Sequence, residues 1–237
     1  MSGQTSHLPF FAPPQGPFRS PFEQAVRGQT PAVRLSTHSP HWRQPAAAAT
    51  EEGLSEAVQK LLRDLEQLDK SVESAAGPAE LAKLHASRAD VLEQLTQNAK
   101  TEEERENWIR QLVDGIAAAV QSGGYAAGVD RLGALFEKLK QQVPDSELTA
   151  HAEFMYLSAQ YAHKLQQPNA EYAKIQEEWL ANLSKFVAAH PKAEDTPEAM
   201  LQLAIGEEFG GKDENAIGWY GNRGDTRFIA SVLGTDS

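Results

Sequence analysis

The 237-residue sequence contains no cysteine. Disulfides, thiolate nucleophiles, cysteine-ligated zinc, iron–sulfur clusters and Cys-x-x-Cys redox chemistry are therefore excluded, which leaves His, Asp and Glu as possible metal ligands. Histidine is scarce as well. After the first fifty residues only His85, His151, His163 and His190 occur, and none has a glutamate three residues before it, so the inward Glu-x-x-His of di-iron bundles is missing. His151-Ala152-Glu153 has the form of the start of a zinc-deaminase signature, but the cysteines that must follow do not exist. His190, just before Pro191, reads as a helix C-terminal residue favoured by the macrodipole.

Positive charge is also in short supply. Lys+Arg number 22 against 33 Asp+Glu, and the net charge of −11 sets up a field that repels phosphate backbones and anionic lipid. Nucleic acid is accordingly not an expected partner. No apolar run is long enough for a transmembrane span, and no h-region of a secretory signal is visible in the sequence as written. Strand-like alternation over a useful length is missing, as are a Walker loop, a Gly-x-Gly-x-x-Gly after a strand and a Gly-x-Ser-x-Gly elbow. The glutamates at 102, 103, 104 and 106 cluster where a helix starts, and Glu177-Glu178 and Glu207-Glu208 are adjacent pairs that point different ways around a helix. No catalytic residue, cofactor or metal is expected from these patterns.

Proline, by contrast, is concentrated. Eight of 13 prolines lie in the first fifty residues, where four arginines face one glutamate, leaving that arm at +3 and the remainder at −14. Proline at this density blocks helices and central strands, so residues 1–48 are expected to form a disordered arm. Its end, Ala46-Ala47-Ala48-Ala49-Thr50-Glu51-Glu52, has the look of a signal-peptide cleavage region without the hydrophobic body.

From Glu51 onward the period is helical. Leu54, Val58, Leu61, Leu65, Leu68 and Val72 form a heptad seam over a first helix of about 53–74, with Leu61 and Leu65 expected to be buried and Glu66 and Lys70 exposed. Pro78 opens a second helix, and Thr101 with Glu104 writes a capping box for a third. Gly123-Gly124 ends that one. A fourth helix of about 125–141 stops before Pro144, and Asp145 is placed to cap a fifth. The fifth carries two apolar rows, one through Leu148, Ala152, Met155, Ala159 and Ala162 and one through Phe154, Leu157, Tyr161 and Leu165, so both its sides should be buried. A sixth helix begins near Asn169 and ends by Pro191; Thr196, read as a cap, with Pro197 begins a seventh. The expected fold is all-α: antiparallel helical hairpins over 49–220, stacked as a tetratricopeptide-like array or bundle, with an irregular tail over 221–237.

Residues 197–220 are the most informative. Leu203, Ala204, Gly211, Ala216 and Tyr220 follow the order and spacing of the tetratricopeptide pattern, although Glu207 stands where that repeat usually has an aromatic. The alanines let two backbones approach while Leu203 and Tyr220 fill neighbouring grooves. The second helix of this hairpin, from Asp213 to Tyr220, is about two turns long, so Trp219, Tyr220 and Phe228 are expected to stay partly exposed. Arg223-Gly224-Asp225 spells an adhesion tripeptide of a kind that chance supplies often.

Arg88-Ala89-Asp90-Val91-Leu92-Glu93, Trp108-Ile109-Arg110-Gln111-Leu112, Gly124-Tyr125 with Gly128, Ala173 to Leu180 and Ala199 to Ala204 carry a family likeness. Over about residues 46–220 the chain resembles the N-terminal helical, tetratricopeptide-like region of bacterial secreted thioredoxin-like (redoxin) proteins. The resemblance implies a redoxin domain downstream, an export signal upstream and a periplasmic location. Neither flanking feature is legible in this sequence, and with no cysteine present no redox residue carries over. The likeness stops at Gln44-Pro45 and after Trp219-Tyr220, and the expectation is that aberrant translation flanks an in-family segment.

The function expected is a non-enzymatic helical scaffold or protein-interaction module, whose partner is another protein or the redoxin domain. Tyr156, Tyr172 and Trp179 are the aromatic candidates for a partner-binding groove. Two other readings stand beside it: a carboxylate-based enzyme within a helical bundle, and a coiled-coil module that self-associates through the first heptad seam.

Overall fold

A computed structural model describes residues 55–221. The arm, Leu54 of the seam, Phe228 and Arg223-Gly224-Asp225 lie outside the described residues. Within them the chain is all-helical: α1 Glu56–Glu73, α2 Pro78–Asn98, α3 Glu102–Gln121, α4 Gly128–Gln142, α5 Glu147–Leu165, α6 Tyr172–Ala189, α7 Thr196–Phe209 and α8 Asp213–Gly221. No helix among them is long and apolar enough to cross a membrane.

The helix ends show why the chain breaks where it does. Ser55 caps α1 by accepting from the Val58 amide, and Pro78 occupies the first turn of α2, where its missing N–H costs nothing. At α3 the Thr101 hydroxyl accepts from the Glu104 amide at 3.1 Å, but the Glu104 carboxylate takes the amide of Lys100, one residue earlier than a capping box requires. Ser146, not Asp145, caps α5, through the Thr149 amide. The sixth helix starts at Tyr172, later than Asn169. Thr196 is inside α7 and buried; its hydroxyl donates to the His190 carbonyl, tying the helix back to the end of α6. Gly211 has a φ of +72°, and the bonds Gly211 N–H to Glu208 C=O and Lys212 N–H to Glu207 C=O close α7 as a Schellman motif. A side chain at that φ would be strained, which is the physical reason for glycine in the α7–α8 turn.

Short connections between helices of similar length make neighbours in sequence antiparallel neighbours in space. α1 lies on α2, α2 on α3, and α3 on both α4 and α5; α5 also packs on α4 and α6, α6 on α7, and α7 on α8. Two hydrophobic cores result. One runs through α1 to α5 around Leu92, Leu95, Leu112, Val113, Val120 and Leu132. The other runs through α5 to α8 around Leu183, Phe186, Val187, Met200 and Leu203. The two rows of α5 divide between them: Leu148, Ala152 and Ala159 belong to the first core, Phe154, Leu157 and Tyr161 to the second, and Met155 touches both.

Two packing expectations need correction. Val58 is buried, but Leu61 and Leu65 are only half-buried, because α1 is an edge helix whose seam rests on the first core from one side. Trp219 is buried at 2% exposure, and Tyr220 is half-buried. Helix length misled here: on a two-turn helix the Trp219 indole joins the second core with Tyr220 packed beside it, while Ile217 stays exposed.

Candidate functional site

The repeat-packing residues all lie on the α7–α8 hairpin. Leu203 and Ala204 on α7 and Ala216 on α8 are fully buried, Gly211 makes the turn between them, and the Tyr220 hydroxyl donates to the Glu208 carboxylate at 2.8 Å. Glu207, at the position where the repeat has an aromatic, pairs with Lys212 at 3.1 Å.

The three aromatic candidates do not converge. Tyr156 packs into the first core, its ring stacked on Phe136 and its hydroxyl accepting from Gln160. Trp179 is buried in the second core, stacked on Tyr161 with centroids 4.8 Å apart. Burial pushes the Tyr161 phenol up to about 12, and that phenol donates to Gln176. Tyr172 stands exposed at the start of α6. These residues are assigned to two cores and a surface, not to one groove.

Long-range polar groups meet at a place that sequence spacing did not indicate. His151 on α5 is 6% exposed, its Nδ1 2.9 Å from Asp195 at the start of α7 and its Nε2 2.8 Å from Asp114 on α3. Ionised carboxylates only accept, so both ring nitrogens must carry protons and the ring is an imidazolium. Burial alone would pull its pKa down; the hydrogen bonds and charges of Asp114 and Asp195 outweigh that and raise it to about 9. Around this ion, His190 bonds Glu153 at 2.9 Å, the Glu194 amide donates to Glu147 at 2.7 Å, and Arg110 reaches Glu194 at 3.5 Å. The network clasps the α6–α7 turn to α3 and α5. It is a clasp in geometry: Asp114 and Asp195 are both bonded to His151, and no group of three or more potential ligands is placed to hold a metal among the described residues.

A half-open groove of about 520 Å³ lies elsewhere, bounded by α2, α3 and α4. Ile109, Leu112, Leu135 and Leu139 make its floor. Arg131 closes one end by reaching from α4 to Asp90 and Glu93 of α2 at 2.8 and 2.7 Å. Burial works against the charge of this guanidinium, but hydrogen bonds with Glu93, Tyr125 and Asp90 hold it more firmly protonated than a free arginine. Arg105, Lys138, Gln97 and Gln142 also line the groove. Sequence periodicity marked the floor residues as core and gave no sign of the groove, because an opening between α2 and α4 depends on how far apart two non-consecutive helices lie.

Comparison of the chain with protein families, with curated proteins and with solved structures finds no match.

Proposed function

We propose that the protein is a non-enzymatic helical scaffold, tetratricopeptide-like in its stacking, that mediates protein contacts or positions a redoxin domain. The observation that carries this reading is the order of packing: α3 lies against both α4 and α5, the adjacency that first helices of consecutive hairpins have in a stacked array, and α7 packs on α8 with Leu203, Ala204 and Ala216 buried. The chemistry is in keeping. The buried histidine and its carboxylates are committed to one another across three elements, and none of the three lines the groove between α2, α3 and α4. Leu61, Leu65 and Leu68 of the α1 seam pack against the first core of their own chain.

The test has two arms on the purified full chain. Metal content and turnover of chromogenic esters, phosphoesters and peptides should both be blank, and a thioredoxin-fold domain taken from an intact protein of the resembling architecture should bind with measurable heat in calorimetry. Turnover that disappears in Glu153→Gln or Asp114→Asn would overturn the scaffold reading in favour of a carboxylate enzyme.

A further inference from the structure

We infer that the His151 clasp is a proton-operated strut between the two cores: the doubly protonated ring ties α3 to the α6–α7 turn, and the singly protonated ring keeps Asp195 and lets Asp114 go. The inference stands apart from what the scaffold binds.

The chemistry of the ring allows only one side to stay bonded. An imidazolium has two N–H donors, one for each carboxylate; a neutral imidazole has one donor and one lone pair. Removing a proton while both contacts stood at 2.9 and 2.8 Å would set a lone pair against a carboxylate oxygen, so one contact must open. The two ends differ in what they meet on release. The Asp114 side chain is 50% exposed and turns into water, whereas Asp195 is 16% exposed and would be left charged and unpaired against the ring. The proton that leaves is therefore the one on Nε2, which passes to solvent past the half-exposed carboxylate of Asp114. The neutral ring is the Nδ1–H tautomer, with its donor kept on Asp195.

What the strut holds follows from the elements it joins. Asp114 adjoins Val113, fully buried in the first core, and Asp195 adjoins Thr196, buried at the start of α7. The His190–Glu153 bond and the bond from the Glu194 amide to Glu147 tie the turn to α5 and do not reach α3. Arg110–Glu194 does reach from α3 to the turn, but at 3.5 Å and with Glu194 largely in water it is a weak tie. Asp114 and Asp195 are the charges that act on the ring; Arg110, Glu147, Glu153, His190 and Glu194 are engaged with one another around it. α4 and the body of α6 bring no charge to it among the described residues. With Asp114 released, the turn keeps its hold on α5, loses its buried link to α3 and opens without disturbing α3. Burial lowers the pKa of the ring and the two carboxylates more than restore it, to about 9, so the strut is in place at neutral pH and is lost as the pH rises through that value.

The experiment uses the full chain labelled with a nitrogen isotope. Long-range proton–nitrogen correlations of the His151 ring should show both nitrogens protonated at about pH 7 and the Nδ1–H tautomer at about pH 10. Over that interval the Ala193, Glu194 and Thr196 amides, all hydrogen-bonded in the turn, should exchange about tenfold faster than intrinsic base catalysis accounts for, while Leu112 and Val113 of α3 keep their protection. Asp114→Ala removes the α3 partner without a pH change, so the turn should already exchange fast at about pH 7 and gain nothing further. Asp114→Asn supplies an amide that donates to the Nε2 lone pair, so the turn should stay protected at both pH values. A ring that remains doubly protonated at about pH 10, an Nε2–H tautomer, or turn exchange that follows intrinsic chemistry alone would overturn the inference. It would be overturned equally by α3 loosening in step with the turn, by Asp114→Ala exchanging like the unaltered chain, or by Asp114→Asn protecting the turn no better than Asp114→Ala.

Discussion

α1 and α5 are nearly the same length, 18 and 19 residues, and both carry apolar residues at helical spacing, yet α1 buries one residue and α5 buries seven. The difference is one of neighbours. α1 sits at the edge of the first core and has a single clean stripe, with Lys60–Asp64 and Lys70–Glu66 pairs on its wet side. α5 stands between two cores and touches α3, α4 and α6, so its apolar residues wrap the helix. A sharply segregated helix therefore announces few neighbours, and a blurred one announces many.

The strongest way to test that contrast is to cut into the central helix. Phe154, 7% exposed and 5.5 Å from the Phe186 ring, should cost about 3–5 kcal/mol when changed to alanine, read from urea unfolding. A loss as small as that of an α1 substitution would mean that the second core does not depend on α5.

A smaller effect comes from the polar clasp on the same helix. The His151 pKa is raised in the folded state from 6.5 to about 9, so the stability it contributes is fully present below about pH 6.5 and is lost as pH rises through about 9. Between those values the native chain should lose on the order of 2 kcal/mol relative to His151→Gln, which should show a nearly flat profile over the window. Parallel slopes in the two proteins would remove the clasp from the stability account.

On the edge helix the numbers shrink. Leu61→Ala should cost about 1–2 kcal/mol, since the side chain is half-buried and water already reaches it. Lys70→Ala should change stability by less than about 0.5 kcal/mol, because the Lys70–Glu66 pair is solvent-exposed at both ends. Thermal melts of the two variants side by side check the ordering, and equal losses would mean that the seam faces something other than the first core.

The helices were legible because their signals are local. Pro78, Thr101, Pro144 and Pro191 act within a few residues, and the two rows of α5 are a pattern that any reader of the sequence can count. Cap assignments slipped by a residue where several candidates stood together: Asp145 beside Ser146, and Thr196 beside Asp195. The clasp was not legible, since Asp114 and Asp195 lie 37 and 44 positions from His151 and only the fold brings them together. Trp179 and Tyr156 could not be sorted into core or surface from spacing either, because an aromatic on a two-sided helix array meets a neighbour in most directions.

The double membership of α5 bears on modularity. Arrays of helical hairpins ordinarily grow or shrink by whole units, since each unit seals only against the next. Here the boundary between the two cores runs through the interior of one helix, so a cut at either end of α5 leaves one core without a wall. Removing a hairpin from the middle of such a protein should therefore unseat both cores, whereas removing α1 and α2 should leave the second core's walls in place.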